Sequence, residues 1–419
     1  MEDIVIVIIR TVITALMLLI TVLFVTSITR RAYNERKYRK LDQLRQIFDR
    51  KIRESLESGT LLKTQSEFIA RPESDAWQAI EGVLLDLINE ERHQDAAYKL
   101  FFSLGYVWFY EKQVEYGNVQ VRALSVDRLG RMKSEVSVPK LITLLDDKNP
   151  EIVSVVVRAL SKIGGRAALQ AIVERLPVIL DQSIVTRKAM GMALQPFGAD
   201  AIPYLVEQKS GGDNLWIISC ILDILSRLPA DPRSVRLAAE HLSSMNAEVR
   251  SKALKVVGRA ENVRAFKKLQ EMVLPLLEDQ VWFVRLQAIR SIRALGYDAA
   301  APSIGKLIFD ENWQVRNEAA QALAFLGERS LDIFIDILKG SDKYAKDSIC
   351  EEIEKTDFSG QLIKNLQSND RDLQYKSRQV LEIMHSHGFS TPLSQYLEHE
   401  GDETAKEVIR DMMRTGTGA

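Results

Sequence analysis

The sequence is poor in the residues that build turn-rich β-structure, disulfide networks and thiolate metal sites. Its 419 residues include only 21 glycines and 11 prolines, a content that favours helices over strands joined by tight turns. The two cysteines, Cys220 and Cys350, are far apart in the sequence, and no CxxC motif is present. The sequence therefore predicts no disulfide network and no cysteine-based metal site, and the cysteine usage fits a reducing compartment.

Catalytic motifs are missing as well. No GxSxG, HExxH, P-loop or GxGxxG motif occurs, so the sequence predicts neither an enzyme nor a bound cofactor. Among the histidines, only His385, His387 and His399 lie close enough together in the sequence to resemble a metal site. They come without a cysteine in a polar stretch, which favours a solvated surface over metal binding.

One long uncharged run lies near the N-terminus. From Thr11 to Ile28 no residue is charged, and Ile4–Ile9 extends the apolar stretch upstream past Arg10. A helix over the longer stretch would span roughly 37 Å, more than the thickness of a bilayer's hydrocarbon core. Residues 1–29 are therefore predicted to form a transmembrane anchor; a cleaved signal peptide is disfavoured because the basic cluster follows the run. Arg10 would snorkel to the interface or pair with a partner's transmembrane helix.

Charge is distributed unevenly along the chain. The net charge is −1, but residues 30–53 hold ten basic and three acidic side chains. Basic residues next to an anchor stay in the cytoplasm, which predicts a single-pass protein of the inner (cytoplasmic) membrane with its N-terminus outside. Residues 30–58 are expected to form a juxtamembrane helix, with residues 30–53 against anionic lipid. The remaining chain is acidic on balance, which disfavours nucleic acid as a partner.

From residue 118 onwards the sequence repeats itself every 31–35 residues. Apolar side chains recur at the residue that opens the second helix of each repeat and four, eight and eleven places after it, so these positions share one core-facing side of the helix. This pattern predicts an α-solenoid of helical hairpins over 118–330, with a helical cap at 59–117 and degenerate helical repeats and a polar tail at 331–419. The opening residues are Val121, Ile152, Thr186, Ile217, Val249, Val284 and Val315. Twelve places after four of them, a glycine marks the helix end: Gly164, Gly198, Gly296 and Gly327.

The motif Asp-x-x-x-x-Val-Arg, followed by alanine and leucine on the same face, is similar to the HEAT-repeat family. The resemblance is greatest to the short bacterial form related to phycobilisome-lyase repeats. It implies an all-α, right-handed solenoid in which the family's aspartate and arginine bond between the turns of neighbouring repeats. In two repeats Val153 and Ile218 replace the arginine. The matching residues are Asp181, Arg187, Arg250, Asp279, Arg285, Asp310 and Arg316.

Two surfaces of the expected solenoid are candidates for binding. Trp216, Trp282 and Trp313 each precede the opening residue of a second helix by one or two places. They either wedge the turn against the next repeat or form a row of aromatic anchors. In the family the second helices line the concave side, and there a run of cations is either a set of solvated helix faces or a surface for an acidic peptide, a nucleotide-like phosphate or an acidic loop. These cations are Arg227, Lys252, Lys255, Arg259, Arg290 and Arg293.

The leading functional prediction is a non-catalytic, membrane-tethered cytoplasmic scaffold or adaptor. It would bind a protein partner that is itself membrane-bound, in a bacterial envelope or polysaccharide-synthesis complex, because solenoids offer long binding surfaces and lack the enclosed pocket that catalysis prefers. The alternative is an enzyme resembling the HEAT-like bilin lyases, or another ligand-binding HEAT protein. A third possibility, a protein resembling the HEAT-like DNA glycosylases, is disfavoured by the acidic body.

Overall fold

The computed structural model describes residues 2–60, 65–208, 214–260, 267–356, 358–399 and 402–415. Those residues form α-helices joined by turns and short 3-10 helices, and they contain no β-strand. The all-α prediction is therefore confirmed for the described part of the chain. The chain divides into two compact units, which we call unit 1 (Met1–Arg175) and unit 2 (Leu176–Ala419).

Unit 1 is built from seven helices and the beginning of an eighth, counted over its described residues. These are α1 (Glu2–Glu57), α2 (Asp75–Leu87), α3 (Gln94–Ser103), α4 (Tyr106–Tyr116), α5 (Val119–Arg131), α6 (Val138–Thr143), α7 (Pro150–Ile163) and α8 (Arg166–Asp181).

The basic segment near the N-terminus contributes to packing within unit 1. The last part of α1 lies against α2, with Ile52 fully buried. Lys40 Nζ lies 2.9 Å from Asp75 Oδ2, and Arg53 Nη2 donates to Glu90 Oε1 at 2.7 Å. Several cations of the predicted juxtamembrane helix thus pair with acidic groups of the following elements. None of these contacts tests the predicted contact of residues 30–53 with anionic lipid, which stays a prediction.

The transmembrane anchor predicted for residues 1–29 is wrong. Among the described residues, no helix combines the length and the apolar character needed to cross a bilayer. The apolar run is instead the first part of α1, which continues without a break through the basic segment to Glu57. The predicted fold class loses its membrane helix, and the single-pass location in the inner membrane is corrected with it. The side chain of Arg10 lies outside the described part.

Unit 2 continues from the second part of α8 with fifteen more helices over its described residues. These are α9 (Arg187–Leu194), α10 (Ala201–Gln208), α11 (Leu215–Leu225), α12 (Pro232–Glu240), α13 (Ala247–Val257), α14 (Lys267–Val273), α15 (Trp282–Ala294), α16 (Ala301–Lys306), α17 (Trp313–Leu326), α18 (Leu331–Lys339), α19 (Lys343–Lys355), α20 (Phe358–Asn365), α21 (Arg371–Ser386), α22 (Thr391–Glu398) and α23 (Glu403–Thr415).

The helices of unit 2 pack as two layers of hairpins. The second helices form one layer, because α11 packs on α13, α13 on α15, α15 on α17 and α17 on α19. The predicted apolar face points into the core: for example, Val249, Ala253 and Val257 of α13 are all fully buried. The solenoid-like arrangement of helical hairpins expected from the repeat is therefore present in this unit.

Polar side chains fix the start of these second helices. Asn246 caps α13 by accepting from the backbone N–H of Glu248 at 2.8 Å, and Asn312 caps α17 in the same way. Such a cap satisfies a backbone donor that the helix itself leaves free. Thr186 is also a cap, accepting from Ala189 N at 3.2 Å, and it is exposed. Its prediction as a core-facing opening residue was wrong, since the hydroxyl serves the helix end.

Helix ends follow the glycine pattern. The four glycines predicted to stop helices all have positive φ, the left-handed region that only glycine adopts without a steric penalty. They are Gly164, Gly198, Gly296 and Gly327.

Candidate functional site

A ladder of arginine–aspartate pairs connects consecutive turns of unit 2. Arg250 donates two hydrogen bonds to Asp279, with Nε–Oδ2 at 2.7 Å and Nη2–Oδ1 at 2.8 Å. Arg285 binds Asp310 with the same two distances. In both cases the partner belongs to the next repeat, so each bidentate pair ties two neighbouring turns together.

Each arginine of the ladder also donates hydrogen bonds to backbone carbonyls of the turn that precedes its own helix. Nη1 of Arg285 donates to the carbonyl of Asp279 at 2.8 Å, and Nη1 of Arg316 donates to the carbonyl of Asp310 at 2.8 Å. Arg285 is buried, and its hydrogen bond to Asp310 raises the pKa of its guanidinium. With their hydrogen bonds used inside the protein, these residues serve the repeat architecture.

Two residues predicted for the ladder do not take part in it, and one further arginine–aspartate pair was not predicted. Asp181 and Arg187 are both exposed and form no ion pair with each other; the guanidinium carbon of Arg187 lies 6.0 Å from the ring centre of Trp216. In unit 1, Asp147 accepts a hydrogen bond from Arg122, although its own repeat has no arginine at the matching position. The sequence indicates this pair when the arginine of one repeat is matched with the aspartate of the next repeat.

The predicted cations of unit 2 are gathered around buried carboxylates, and we call them the basic strip. Asp223 on α11 is 5% exposed and accepts from Lys252 Nζ at 2.8 Å and from Arg227 Nη2 at 3.1 Å. Lys255 Nζ is 3.9 Å away. Just after α13, Arg259 donates to the carbonyl of Ser226. The first half of the strip is therefore organised by one acidic group.

At Asp223, the neighbouring cations lower the pKa of the carboxyl by more than burial raises it. Burial alone would raise the pKa of this carboxyl, but the hydrogen bond and charge of Lys252, together with those of Arg227, hold it below its usual value. Burial lowers the pKa of the nearby Lys255 ammonium, against the pull of Asp223. Asp223 is thus an anchored anion that holds cations in fixed positions.

The second half of the strip has the same design. Glu318 on α17 is 5% exposed, and its Oε2 accepts from Arg290 Nε at 2.6 Å. Arg293 Nη2 lies 3.5 Å from Oε1, a distance without hydrogen-bond geometry, so Oε1 has no hydrogen-bond partner among the described residues. Six cations face two carboxylates over the whole strip, which leaves a clear excess of positive charge.

Sequence reasoning found the six cations and missed the two carboxylates. Asp223 lies six places after Ile217 and Glu318 three places after Val315, which are offsets that also carry strip cations in other repeats. The helix positions that identified the six cations therefore also identify Asp223 and Glu318 when acidic side chains are considered.

The tryptophans lie at a different place on the repeats. Trp282 and Trp313 are the first residues of α15 and α17, and Trp216 lies in the first turn of α11. Trp313 is 64% exposed, and the other two are a little over one-third exposed. Eleven residues separate Trp282 from Arg293 on α15, a rise of about 16 Å. The tryptophan edge and the basic strip are separate surfaces.

The histidines and cysteines show ordinary structural contacts. His385 Nδ1 lies 2.7 Å from Ser390 Oγ, and His399 Nδ1 lies 2.7 Å from the carbonyl of Gln395. Within the described ranges, no three His, Cys, Asp or Glu side chains form a group that could hold a metal. Burial raises the pKa of Cys220 to about 11 and that of Cys350 to about 12, so both stay thiols at neutral pH.

Comparison with known families identifies the repeat. The model of the HEAT repeat family matches residues 112–195 and 271–354. These two segments are similar to HEAT repeats. The match is to the family as a whole, so the short bacterial subtype stays a prediction. No curated protein matches the chain.

Several solved structures resemble these HEAT repeats. An engineered protein from the Northeast Structural Genomics Consortium matches over 91% of this chain and 95% of its own, with 17% identity and a TM-score of 0.31. Kap121p matches over 86% of this chain with 12% identity and a TM-score of 0.48. A structure of Kap121p bound to the extreme C-terminus of the protein phosphatase Cdc14p matches with 11% identity and a TM-score of 0.47. The chain spans about half the length of Kap121p. Similarities this low carry no conclusion about ligands or partners.

Proposed function

We propose that the protein is a non-catalytic scaffold that binds an acidic segment of a partner protein on the basic strip of unit 2. The observation that carries the proposal is the arrangement around Asp223 and Glu318 of six cations, which lie on or just after three consecutive second helices. The envelope and polysaccharide-synthesis setting depended on the membrane anchor and forms no part of the proposed function.

The buried carboxylates support a binding role because they are costly as packing groups. Taking charges out of water is expensive, and apolar side chains of similar size often hold helices together as well or better. Asp223 and Glu318 instead hold long cationic side chains in fixed positions, which lowers the entropy lost when a partner binds. The cations stay accessible, since the side chains of Lys255 and Arg290 are 41% and 49% exposed.

The chemistry of the strip favours an acidic partner. Guanidinium groups pair with carboxylates through two parallel hydrogen bonds, and a row of them steers an acidic segment during encounter. Because the strip is partly exposed, binding should weaken as salt screens the charges.

The test removes the three cations that form no hydrogen bond with Asp223 or Glu318. Lys255→Gln, Arg259→Gln and Arg293→Gln together leave Asp223 paired with Lys252 and Arg227, and Glu318 paired with Arg290. The matched control, in the first-helix layer, is Arg236→Gln, Lys306→Gln and Lys339→Gln, three exposed cations of α12, α16 and α18.

Both variants and the wild type are used to capture partners from an extract of the native cells, with identification by mass spectrometry. We expect the strip variant to lose a partner that has an acidic segment, while the control keeps it. Losing three exposed pairs at about 0.5 kcal/mol each lowers affinity roughly ten-fold. Equal capture of the same partner by all three proteins would refute the proposed surface.

A further inference from the structure

Unit 1 contains a groove that the proposed scaffold function does not use. It consists of two adjoining cavities of about 520 Å³ and about 300 Å³, which share Leu85 and Arg131 as lining residues. The groove runs along α2 and α5, with α1 and α4 closing the larger cavity. Cavities of this size hold small organic ligands.

The larger cavity has an aromatic and aliphatic wall among charged lining residues. Trp77, Phe109 and Tyr110 form one wall, with ring centres of Trp77 and Phe109 5.6 Å apart in an edge-to-face contact. Leu124 of α5 is more than half exposed at this end, although it is apolar. An aromatic or aliphatic body fits this part of the groove, because it would remove that surface from water.

The smaller cavity is cationic. It is lined by Arg131, Lys133 and Lys162, and it has no acidic lining residue among those described. Lys162 is paired with Asp127 at 2.9 Å. Arg131 and Lys133 make no ion pair with any described residue. Two cations that form no short ion pair with a described carboxylate therefore lie at one end of the groove, and Arg131 acts on Glu81 only through its charge.

The acidic residues of the larger cavity are mostly engaged by the protein itself. Glu81 is 3% exposed; its Oε1 accepts from Tyr110 Oη at 3.0 Å and lies 3.5 Å from Arg128 Nη1. Asp86 accepts a hydrogen bond from Arg45. Glu73 precedes the first residue of α2, whereas Leu85 near the last residue of α2 lines the smaller cavity together with Arg131. The charge left over where the two cavities meet is positive.

We infer that this groove binds an organic anion whose aromatic or aliphatic body packs against Trp77, Phe109 and Leu124 and whose carboxylate or phosphate contacts Arg131 and Lys133. The inference concerns unit 1 and is independent of the basic strip of unit 2. A ligand with one compact anionic group at the end of an apolar body satisfies both cavities at once.

The test uses three probes that share one ring system and differ in the charged group. These are 2-naphthoate, 2-naphthyl phosphate and 2-naphthylmethylamine, titrated into the full chain by calorimetry. We expect the two anions to bind and the amine to bind at least five-fold more weakly. The ratio between the two anions shows which head group the cations prefer. An amine that binds as tightly as the anions would overturn the inference and assign the groove to cations through Glu81 and Glu73.

Variants place the probe in the groove. Arg131→Gln and Lys133→Gln should each weaken binding of the preferred anion at least five-fold, while Lys99→Gln on the exposed side of α3 should leave it unchanged. Gly82→Leu should block the larger cavity, because a Cβ at this position meets only Arg45, at 3.7 Å. Gly82→Ala is the matched control and should retain binding. Unchanged affinity in the Arg131 and Lys133 variants, or in Gly82→Leu, would refute the assignment.

Discussion

Two buried carboxylates, Glu81 in unit 1 and Asp223 in unit 2, have opposite electrostatic surroundings. Burial raises the pKa of Glu81, and the charge of Arg128 and the hydrogen bond from Tyr110 compensate only in part. At Asp223, the hydrogen bonds and charges of Lys252 and Arg227 outweigh burial and lower the pKa. Both residues are buried, at 3% and 5% exposure, so burial alone does not decide how an acid behaves.

The difference lies in the cations and in their distance. Asp223 has two cations at hydrogen-bond distance, whereas the nearest cation of Glu81 lies at 3.5 Å and its hydrogen bond comes from a neutral phenol. An anion held by cations stays charged and organises a surface, as in the basic strip. An anion held by a phenol tolerates protonation, and it fits the wall of a groove.

The largest expected loss of stability comes from placing a charge in the core, and it should be similar in the two units. Leu160→Asp on α7 or Leu323→Asp on α17 buries a charge without a partner and should cost about 4 kcal/mol or more. Hydrogen exchange should show the loss first around the substituted repeat, since repeats contact mainly their neighbours. Leu→Met at either position is the control. Wild-type protection around the aspartate would show that these positions do not face the core.

A smaller loss of stability should follow from removing the negative charge of Asp223 in unit 2. Asp223→Asn leaves Lys252, Arg227 and Lys255 facing one another without a counter-charge, and we expect about 3 kcal/mol of lost stability. Asp336→Asn, an exposed position on α18, is the control, with an expected change within about 0.5 kcal/mol. Chemical denaturation measures both. Equal effects of the two substitutions would mean that the cations do not depend on Asp223.

The matching change in unit 1 should cost much less. Glu81→Gln keeps an oxygen that accepts from Tyr110 and removes a charge that burial already disfavours, so we expect a change within about 1 kcal/mol. The comparison with Asp223→Asn is made under the same denaturation conditions. A loss at Glu81 as large as that at Asp223 would erase the proposed difference between the units.

The pH dependence of stability should have opposite signs at the two acids. The folded pKa of Asp223 lies below its usual value of 3.8, so its stabilisation is present above pH 3.8 and is lost as pH falls through the folded pKa. The folded pKa of Glu81 lies above 4.5, so its contribution is greatest below 4.5 and declines as pH rises towards the folded pKa.

The two pH contributions are separated by comparing each variant with the wild type across the acidic range. Asp223→Asn should remove the loss below pH 3.8, and Glu81→Gln should remove the decline above pH 4.5. If the contributions of both acids to stability changed with pH in the same direction, the electrostatic surroundings described for them would be wrong.

The repeat could be predicted from the sequence because its signal is periodic. Val249, Ala253 and Val257 were expected in the core from their spacing, and they are buried there. Thr186 misled the prediction because its position in the period matched, while its hydroxyl served as a helix cap. The apolar run near the N-terminus predicted a membrane anchor on length and composition, and the described structure contradicts it.

The candidate sites were less accessible to sequence reasoning. Asp223 and Glu318 are tied to cations 28 or 29 residues away, so their role depends on how neighbouring repeats stack. The groove of unit 1 combines α2 and α5, and no spacing in the sequence brings Trp77 and Arg131 together. Such contacts between distant residues depend on tertiary packing, and no local sequence motif predicts them.

The most direct test of the central claim is the affinity of the captured acidic segment, as a labelled peptide, for three proteins. These are the wild type, the strip variant with Lys255, Arg259 and Arg293 changed to Gln, and an edge variant with Trp216, Trp282 and Trp313 changed to Ala. Fluorescence anisotropy at two salt concentrations gives the affinity and its dependence on salt. The account predicts a roughly ten-fold weaker and less salt-sensitive complex for the strip variant and wild-type binding for the edge variant. Wild-type binding by the strip variant, with loss in the edge variant, would contradict it and place the partner on the tryptophans.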